Sequence, residues 1–152
     1  MDAAHGDYGH IVNTASIGGL VTTSANAAYT VSKHAVVALS ECLSKELAAR
    51  GDLRLGVSVL CPGWVATGIA YSDRNHPDQG GAELADPDRR ERLRAVVSKG
   101  MDPRAVGALV LEAVQADRFY IKTHPLWDTL IKNRFEAILD GGKPAVTPLP
   151  RD

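Results

Sequence analysis

Residues 9–16 read GHIVNTAS, residues 26–50 read NAAYTVSKHAVVALSECLSKELAAR, and residues 55–61 read LGVSVLC. The first and last segments are short, apolar and rich in β-branched residues, which predicts two buried strands. The middle segment has no proline, and its apolar residues recur at steps of three and four, which predicts one long helix stopped by Gly51. A strand, a long helix and a strand in this order predict a parallel β-α-β unit and an α/β fold.

The predicted long helix carries apolar residues on more than one side. Every residue from 35 to 39 is apolar, so this part of the helix cannot expose one whole side to water. We therefore expect the helix to pack on the sheet and also on a partner. The apolar residues that recur along it are Ala28, Val31, Ala35, Leu39, Cys42, Leu43 and Leu47.

The stretch 67–100 is richer in glycine, proline, aspartate and arginine, and it predicts a long excursion from the sheet with one short solvated helix capped by Asp86. Asp102-Pro103 begins a further helix, since aspartate caps helices and proline suits their first turn. We expect one domain over residues 1–140 and a loose tail over 141–152. The other predicted elements are the end of that further helix near Ala116, a third strand at 119–122 and an amphipathic helix at about 126–139.

The composition limits the classes of partner. The 152 residues include 17 Lys and Arg against 18 Asp and Glu, a net charge of −1, so no excess of positive charge is available for a nucleic acid or an anionic membrane. No apolar run approaches the ~20 residues that cross a bilayer, and the first residues do not form a secretory signal. Cys42 and Cys61 sit in apolar segments, so we expect two buried thiols, no disulfide and a cytoplasmic location.

Tyr29 and Lys33 are four residues apart on the predicted helix, so both side chains lie on one face of it. A nearby cation lowers the pKa of a phenol, which makes the phenol a better proton-transfer group. Alone, this spacing usually marks a pair of surface residues. The interpretation of Tyr29 and Lys33 as a functional pair is supported by Ser16, which ends the first predicted strand and is followed by the Gly18-Gly19 loop.

Three segments together resemble the second half of the short-chain dehydrogenase/reductase family. They are Asn13-Thr14-Ala15-Ser16, Tyr29-Thr30-Val31-Ser32-Lys33 and Pro62-Gly63-Trp64-Val65-Ala66-Thr67, in the family's order and spacing. The resemblance runs from about Gly9 to Ile121. It implies the C-terminal part of a doubly wound Rossmann-type parallel sheet of about three strands with flanking helices. It also implies NAD(P)-dependent interconversion of a small alcohol and a carbonyl by hydride transfer, with NAD or NADP left open, and a homodimer or homotetramer.

The resemblance also assigns roles to three residues. Tyr29 would be the acid and base that gives a proton to a carbonyl or takes one from an alcohol. Ser16 would donate a hydrogen bond to the same oxygen. Lys33 would hold the ribose hydroxyls of the cofactor and keep Tyr29 acidic. A plainer alternative for Ser16 is a hydroxyl that bonds its own backbone at a strand end.

The third segment would hold the nicotinamide. Pro62 and Gly63 would let the backbone approach the ring closely, while the Thr67 hydroxyl and backbone groups near Val65 would fix the carboxamide. A plainer alternative for Thr67 is an ordinary helix cap.

Several features of the family are missing. No glycine-rich phosphate loop occurs in the chain, only fifteen residues precede Ser16, and Asn13 does not match the asparagine of the family's proton relay. Residues 1–7 resemble the end of a preceding helix, so we expect the N-terminal half to be absent and Met1 to be an internal methionine. Such a chain is expected to bind NAD(P)H weakly and to aggregate through the open edge of its first strand.

Other kinds of function are less well supported. A hydrolase is disfavoured because Thr14-Ala15-Ser16-Ile17-Gly18 lacks the first glycine of a nucleophile elbow. No metal site is expected, because the histidines form no ligand cluster and the cysteines match no ligand spacing. The remaining alternative is a truncated, catalytically inactive fragment that keeps only the association surface of its long helix.

Overall fold

Three parallel strands form a sheet in the computed structural model, which describes residues 8–23, 26–52, 54–75 and 87–145. The strands lie side by side in the order β1, β2, β3, and the residue ranges are Gly9–Thr14, Leu55–Cys61 and Tyr120–Lys122. Ile11 pairs with Val57, and Leu60 pairs with Ile121. The predicted α/β fold with about three parallel strands and flanking helices is confirmed.

Helix α1, Ala27–Ala49, connects β1 to β2 and is the predicted long helix. It stops at Gly51, whose φ of +68° lies in the left-handed region that favours glycine. The side chains that α1 buries are those of Thr30, Val37 and Ser40. The predicted apolar stripe of α1 includes side chains that face solvent, since Val31 is 68% and Leu39 63% exposed.

The core of the sheet forms where α1 covers the ends of β1 and β2. Its buried members are Ala15, Val37, Val59 and Cys61, and Phe119 packs against them. The prediction that both strands are buried holds for the last five residues of β2 and is wrong for β1, whose side chains are half-buried or exposed. In the described part of the chain β1 pairs only with β2. It is therefore an edge strand, and its residues are more exposed to solvent than those of the central strand β2.

The two cysteines differ in burial. Cys61 is buried at the end of β2, as expected, whereas Cys42 is exposed on α1, so that prediction is wrong. Cys42 belongs to the apolar stripe that turns away from the sheet. Burial raises the pKa of the Cys61 thiol to about 11, and the Ser16 backbone N–H opposes this shift.

The described residues within 64–108 form a compact unit of their own, and those within 1–63 and 109–152 form the other. Within 64–108, Val65 pairs with Met101, and a 3₁₀ segment at Gly68–Asn75 is kinked at Tyr71. Helix α2 spans Pro87–Val97, in the region predicted as a short helix; its predicted cap, Asp86, lies outside the described residues.

The C-terminal elements follow the prediction closely. Helix α3 spans Pro103–Gln115, and helix α4 spans Asp128–Leu139 after a short 3₁₀ turn. Asp102 caps α3 as predicted, because its Oδ1 accepts a hydrogen bond from the Arg104 N–H at 2.8 Å. Residues 141–145 have no regular structure, and 146–152 of the predicted tail lie outside the described residues. None of the helices described is long and apolar enough to cross a membrane.

Candidate active site

Ser16 lies just beyond the carboxyl end of β1 and begins the 3₁₀ turn Ile17–Gly19. Its Oγ accepts a hydrogen bond from the Gly18 N–H at 3.1 Å, and the residue is only 8% exposed. The plainer alternative, a hydroxyl bonded to its own backbone, is therefore present in the geometry. It does not compete with the functional role, because an oxygen that accepts a bond still has its own proton to donate.

Tyr29 and Lys33 lie in the first turns of α1, with the Tyr29 ring beside Gly18 and the Lys33 ammonium at the end of β1. The Lys33 Nζ lies 5.8 Å from the centroid of the Tyr29 ring and donates to the backbone oxygen of Thr14 at 3.2 Å. That bond leaves two of the three ammonium N–H groups of Lys33 without a partner among the described residues. The Tyr29 hydroxyl likewise has no hydrogen-bond partner in the described ranges, and the residue is 36% exposed.

Two glycines allow the Ser16 loop to lie directly on α1. A Cβ placed on Gly18 would be 3.2 Å from the Tyr29 Cε1 and 3.6 Å from the Ser16 Oγ, so Gly18 has both side chains as neighbours. A Cβ placed on Gly19 would be 2.6 Å from the Lys33 backbone oxygen, closer than real Cβ atoms approach. The structure thus brings Ser16, Tyr29 and Lys33 together at one end of the sheet.

Pro62 and Gly63 follow β2 at the same end of the sheet. The Pro62 carbonyl accepts from the Ile17 N–H at 2.9 Å, which ties this turn to the Ser16 loop. The Gly63 N–H donates to the Thr123 Oγ1 at 3.0 Å, and a Cβ on Gly63 would lie 2.7 Å from the His124 Nδ1. A side chain at position 63 would therefore have to displace the His124 ring.

Thr123 and His124 were not found by sequence reasoning. They follow β3, sixty residues after the turn they support, and no local pattern links the two segments. Their side chains lie 2.6 Å apart, between the Thr123 Oγ1 and the His124 Nδ1. Only the pairing of β3 with β2 brings them beside Gly63.

Val65 and Thr67 belong to the compact unit 64–108 and are described within it. Val65 forms a parallel bridge with Met101. The Thr67 Oγ1 accepts from the Ile69 N–H at 3.4 Å, and the residue is exposed at the start of the 3₁₀ segment. The plainer alternative of a helix cap is thus seen for Thr67, and the predicted contact of both residues with a nicotinamide remains a prediction.

The pKa values of two other tyrosine hydroxyls are raised. Burial, together with a 2.5 Å hydrogen bond to the Glu41 carboxylate, raises the pKa of Tyr120 to about 12. Burial and the nearby Asp117 also raise the pKa of Tyr8, which lies at the opposite end of the sheet beside His10. Neither of these two tyrosines is the one beside the Ser16 loop, where the Tyr29 ring lies next to Gly18.

Comparisons with known proteins agree on one family. Residues 1–78 match the model of the short chain dehydrogenase family. A CLA biosynthesis dehydrogenase/reductase of Lactiplantibacillus plantarum is 30% identical over 150 residues, covering 91% of this chain and 51% of that protein. The chain thus spans about half the length of the curated relatives it matches.

Solved structures give the same result. A short-chain dehydrogenase/reductase of Burkholderia phymatum in complex with NAD matches with a TM-score of 0.82 and 37% identity, covering 93% of this chain and 51% of that one. An actinorhodin polyketide ketoreductase with NADPH matches with a TM-score of 0.52 and 29% identity, covering 76% of this chain and 44% of that one.

Proposed function

This chain belongs to the short-chain dehydrogenase/reductase family, and we propose that it carries the proton-transfer residues of an NAD(P)-dependent enzyme that interconverts an alcohol and a carbonyl. The convergence of Ser16, Tyr29 and Lys33 around Gly18 and Gly19 is the observation that carries the proposal. As the family resemblance implies, the substrate would be a small-molecule alcohol or carbonyl.

The residues present fit a nicotinamide cofactor. Lys33 keeps two N–H groups that could donate to the two hydroxyls of a ribose, and the exposed Tyr29 hydroxyl lies on the same side of α1. When bound, the nicotinamide would accept a hydride from an alcohol or supply one to a carbonyl. The similar structures include one with NAD and one with NADPH, so both are candidates.

Each side chain has a separate task in this proposal. Tyr29 transfers the proton to or from the reacting oxygen. Ser16 donates its hydroxyl proton to the same oxygen, while its bond from Gly18 holds the side chain in place. Lys33 would hold the ribose, and its bond to the Thr14 carbonyl keeps the ammonium at the end of β1. Pro62 and Gly63 would lie against the nicotinamide, and the contact of Val65 and Thr67 with it stays a prediction from the family resemblance.

We expect Lys33→Met to weaken NAD(P)H binding and lower kcat together, each by about 10-fold or more, because one ammonium serves both the ribose and the site. The measurements are fluorescence titration with NADH and NADPH and steady-state oxidation of a panel of secondary alcohols. The matched control is Lys45→Met, since Lys45 is an exposed lysine of the same helix with no role in the site. Unchanged cofactor affinity in Lys33→Met would contradict the double role of this lysine.

The exposed stripe of α1 supports a second proposal, association into a homodimer or homotetramer through paired long helices. Val31 and Leu39 are large apolar side chains, and both are more than 60% exposed. In the product of the longest open reading frame that contains the chain, we expect Leu39→Asp to reduce the mass in solution to that of the monomer by light scattering. Leu139→Asp on α4, where Leu139 is 84% exposed, is the control and should leave the mass unchanged. A parent protein that is already monomeric would refute the association.

One comparison separates an enzyme from an inactive fragment that only associates. The chain is purified alone and, in parallel, as the product of the longest open reading frame that contains it. NAD(P)-dependent turnover by the second preparation, with a glycine-rich strand-turn-helix in its sequence, supports the enzyme. Assembly without turnover in both preparations supports the association-only alternative.

A further inference from the structure

A cavity of about 250 Å³ lies beside the loop that follows Ser16. Val21 and Thr22 form its wall on the loop side, and Ala137 and Ile138 of α4 also line it. The Val21 N–H donates to the Ile17 carbonyl at 3.0 Å, so this wall begins one turn after Ser16. The cavity therefore adjoins the segment to which we assign catalysis.

Arg134 is the charged residue among those that line the cavity. Its Nη1 donates to the Leu20 carbonyl at 3.3 Å, and its guanidinium carbon lies 5.5 Å from the centre of the Phe135 ring. These contacts hold the guanidinium in place, and they use one of its five N–H groups. The other N–H groups have no partner within the ranges that the structure describes, so they remain available to an anion at the cavity.

The surroundings of Arg134 leave its charge uncompensated at the cavity. No acidic residue lines the cavity among the described residues. The neighbouring cation of α4, Lys132, pairs with Glu136 at 3.7 Å, and neither of these two side chains lines the cavity. An apolar cavity with one uncompensated guanidinium favours a ligand that has an apolar body and a carboxylate.

We propose that this cavity binds the carboxylate of an apolar hydroxy acid or oxo acid, with Arg134 as the partner of the carboxylate. The inference rests on the proposed function for the reaction and adds the class of substrate. The apolar body of the acid packs on Val21, Ala137 and Ile138. Ser16 and Tyr29 do not line the cavity, so the hydroxyl or carbonyl group of the acid would extend from it along the loop toward them.

The test uses hexanoate, with 1-hexanol and hexylamine as probes of equal chain length. Amide shifts of the isotope-labelled protein are followed by NMR at pH 7 without cofactor. We expect saturable shifts at Val21, Ala137 and Ile138, with a Kd for hexanoate about 10-fold or more below that for either other probe. Equal affinity for the three probes, or no saturable shift with hexanoate, would overturn the proposal.

Three variants locate the interaction. Arg134→Met should reduce hexanoate binding to the level of 1-hexanol, whereas Lys132→Met removes a cation from the same helix and should bind hexanoate as the parent does. Ala137→Trp fills the cavity and should lose all three probes. Hexanoate binding that persists in Arg134→Met or in Ala137→Trp would contradict the site.

The design also separates loss of binding from loss of folding, and failure of this proposal from failure of the proposed function. If Arg134→Met does not fold, because the Leu20 carbonyl loses its donor, Ala137→Trp and the order of the probes on the parent decide the question. Binding is measured without turnover, so a failure here leaves the oxidoreductase proposal standing. Conversely, a Tyr29→Phe variant that keeps its activity would refute the role of Tyr29 and leave hexanoate binding intact.

Discussion

Replacing Tyr29 by phenylalanine is expected to lower kcat by about 10²- to 10⁴-fold while NAD(P)H affinity stays nearly unchanged. The substitution removes one hydroxyl, the group that would exchange a proton with the reacting oxygen, and leaves the ring beside Gly18 in place. That hydroxyl has no partner among the described residues, so its loss breaks no internal hydrogen bond. Steady-state kinetics and cofactor titration on the product of the longest open reading frame give both quantities.

Tyr120→Phe is the matched control for this prediction. Tyr120 is 41% exposed against 36% for Tyr29, so the two substitutions alter similar surfaces. The Tyr120 hydroxyl donates to Glu41, and its pKa of about 12 keeps it protonated at neutral pH. Its removal should cost little activity. A Tyr29→Phe variant within about 10-fold of the parent would refute Tyr29 as the acid and base.

Replacing Gly19 by alanine is expected to lower the free energy of unfolding by about 1 to 3 kcal/mol and kcat by about 10²-fold. The added Cβ would meet the Lys33 backbone oxygen at 2.6 Å and the Lys33 carbonyl carbon at 2.9 Å. Backbone atoms of a helix cannot turn aside as the end of a side chain can, so the loop must move. Ser16 moves with it, away from Tyr29. Urea unfolding and steady-state kinetics measure the two effects.

Gly107→Ala provides the contrast on α3. A Cβ there has no atom within 4 Å, and alanine favours a helix by up to about 1 kcal/mol over glycine. This variant should therefore unfold at the same or a higher urea concentration than the parent. If Gly19→Ala behaves in the same way, the close approach of the Ser16 loop to α1 is not required.

Much of the fold could be predicted because its signals are local. The β-branched segments, the proline-free run and the Asp102-Pro103 start each depend on neighbours within a few residues, so β2, α1 and α3 were predicted almost to the residue. Burial could not be predicted so well. The apolar stripe of α1, including Cys42, was found by its period, but the period does not say which side of a helix faces the sheet.

By itself, the sequence determined the chemical types and the spacing of the candidate site, since Tyr29 and Lys33 share a helix face and Ser16 ends a strand. Tertiary structure alone decided which groups surround them. The Arg134 contact with Leu20 spans 114 residues, and the Thr123 contact with Gly63 spans 60. Contacts of this kind arise when strands pair and helices pack, because tertiary packing brings together residues that are far apart in the sequence. Local periodicity and residue preference therefore do not predict the cavity at Arg134 or the hydrogen bond between the Gly63 N–H and Thr123.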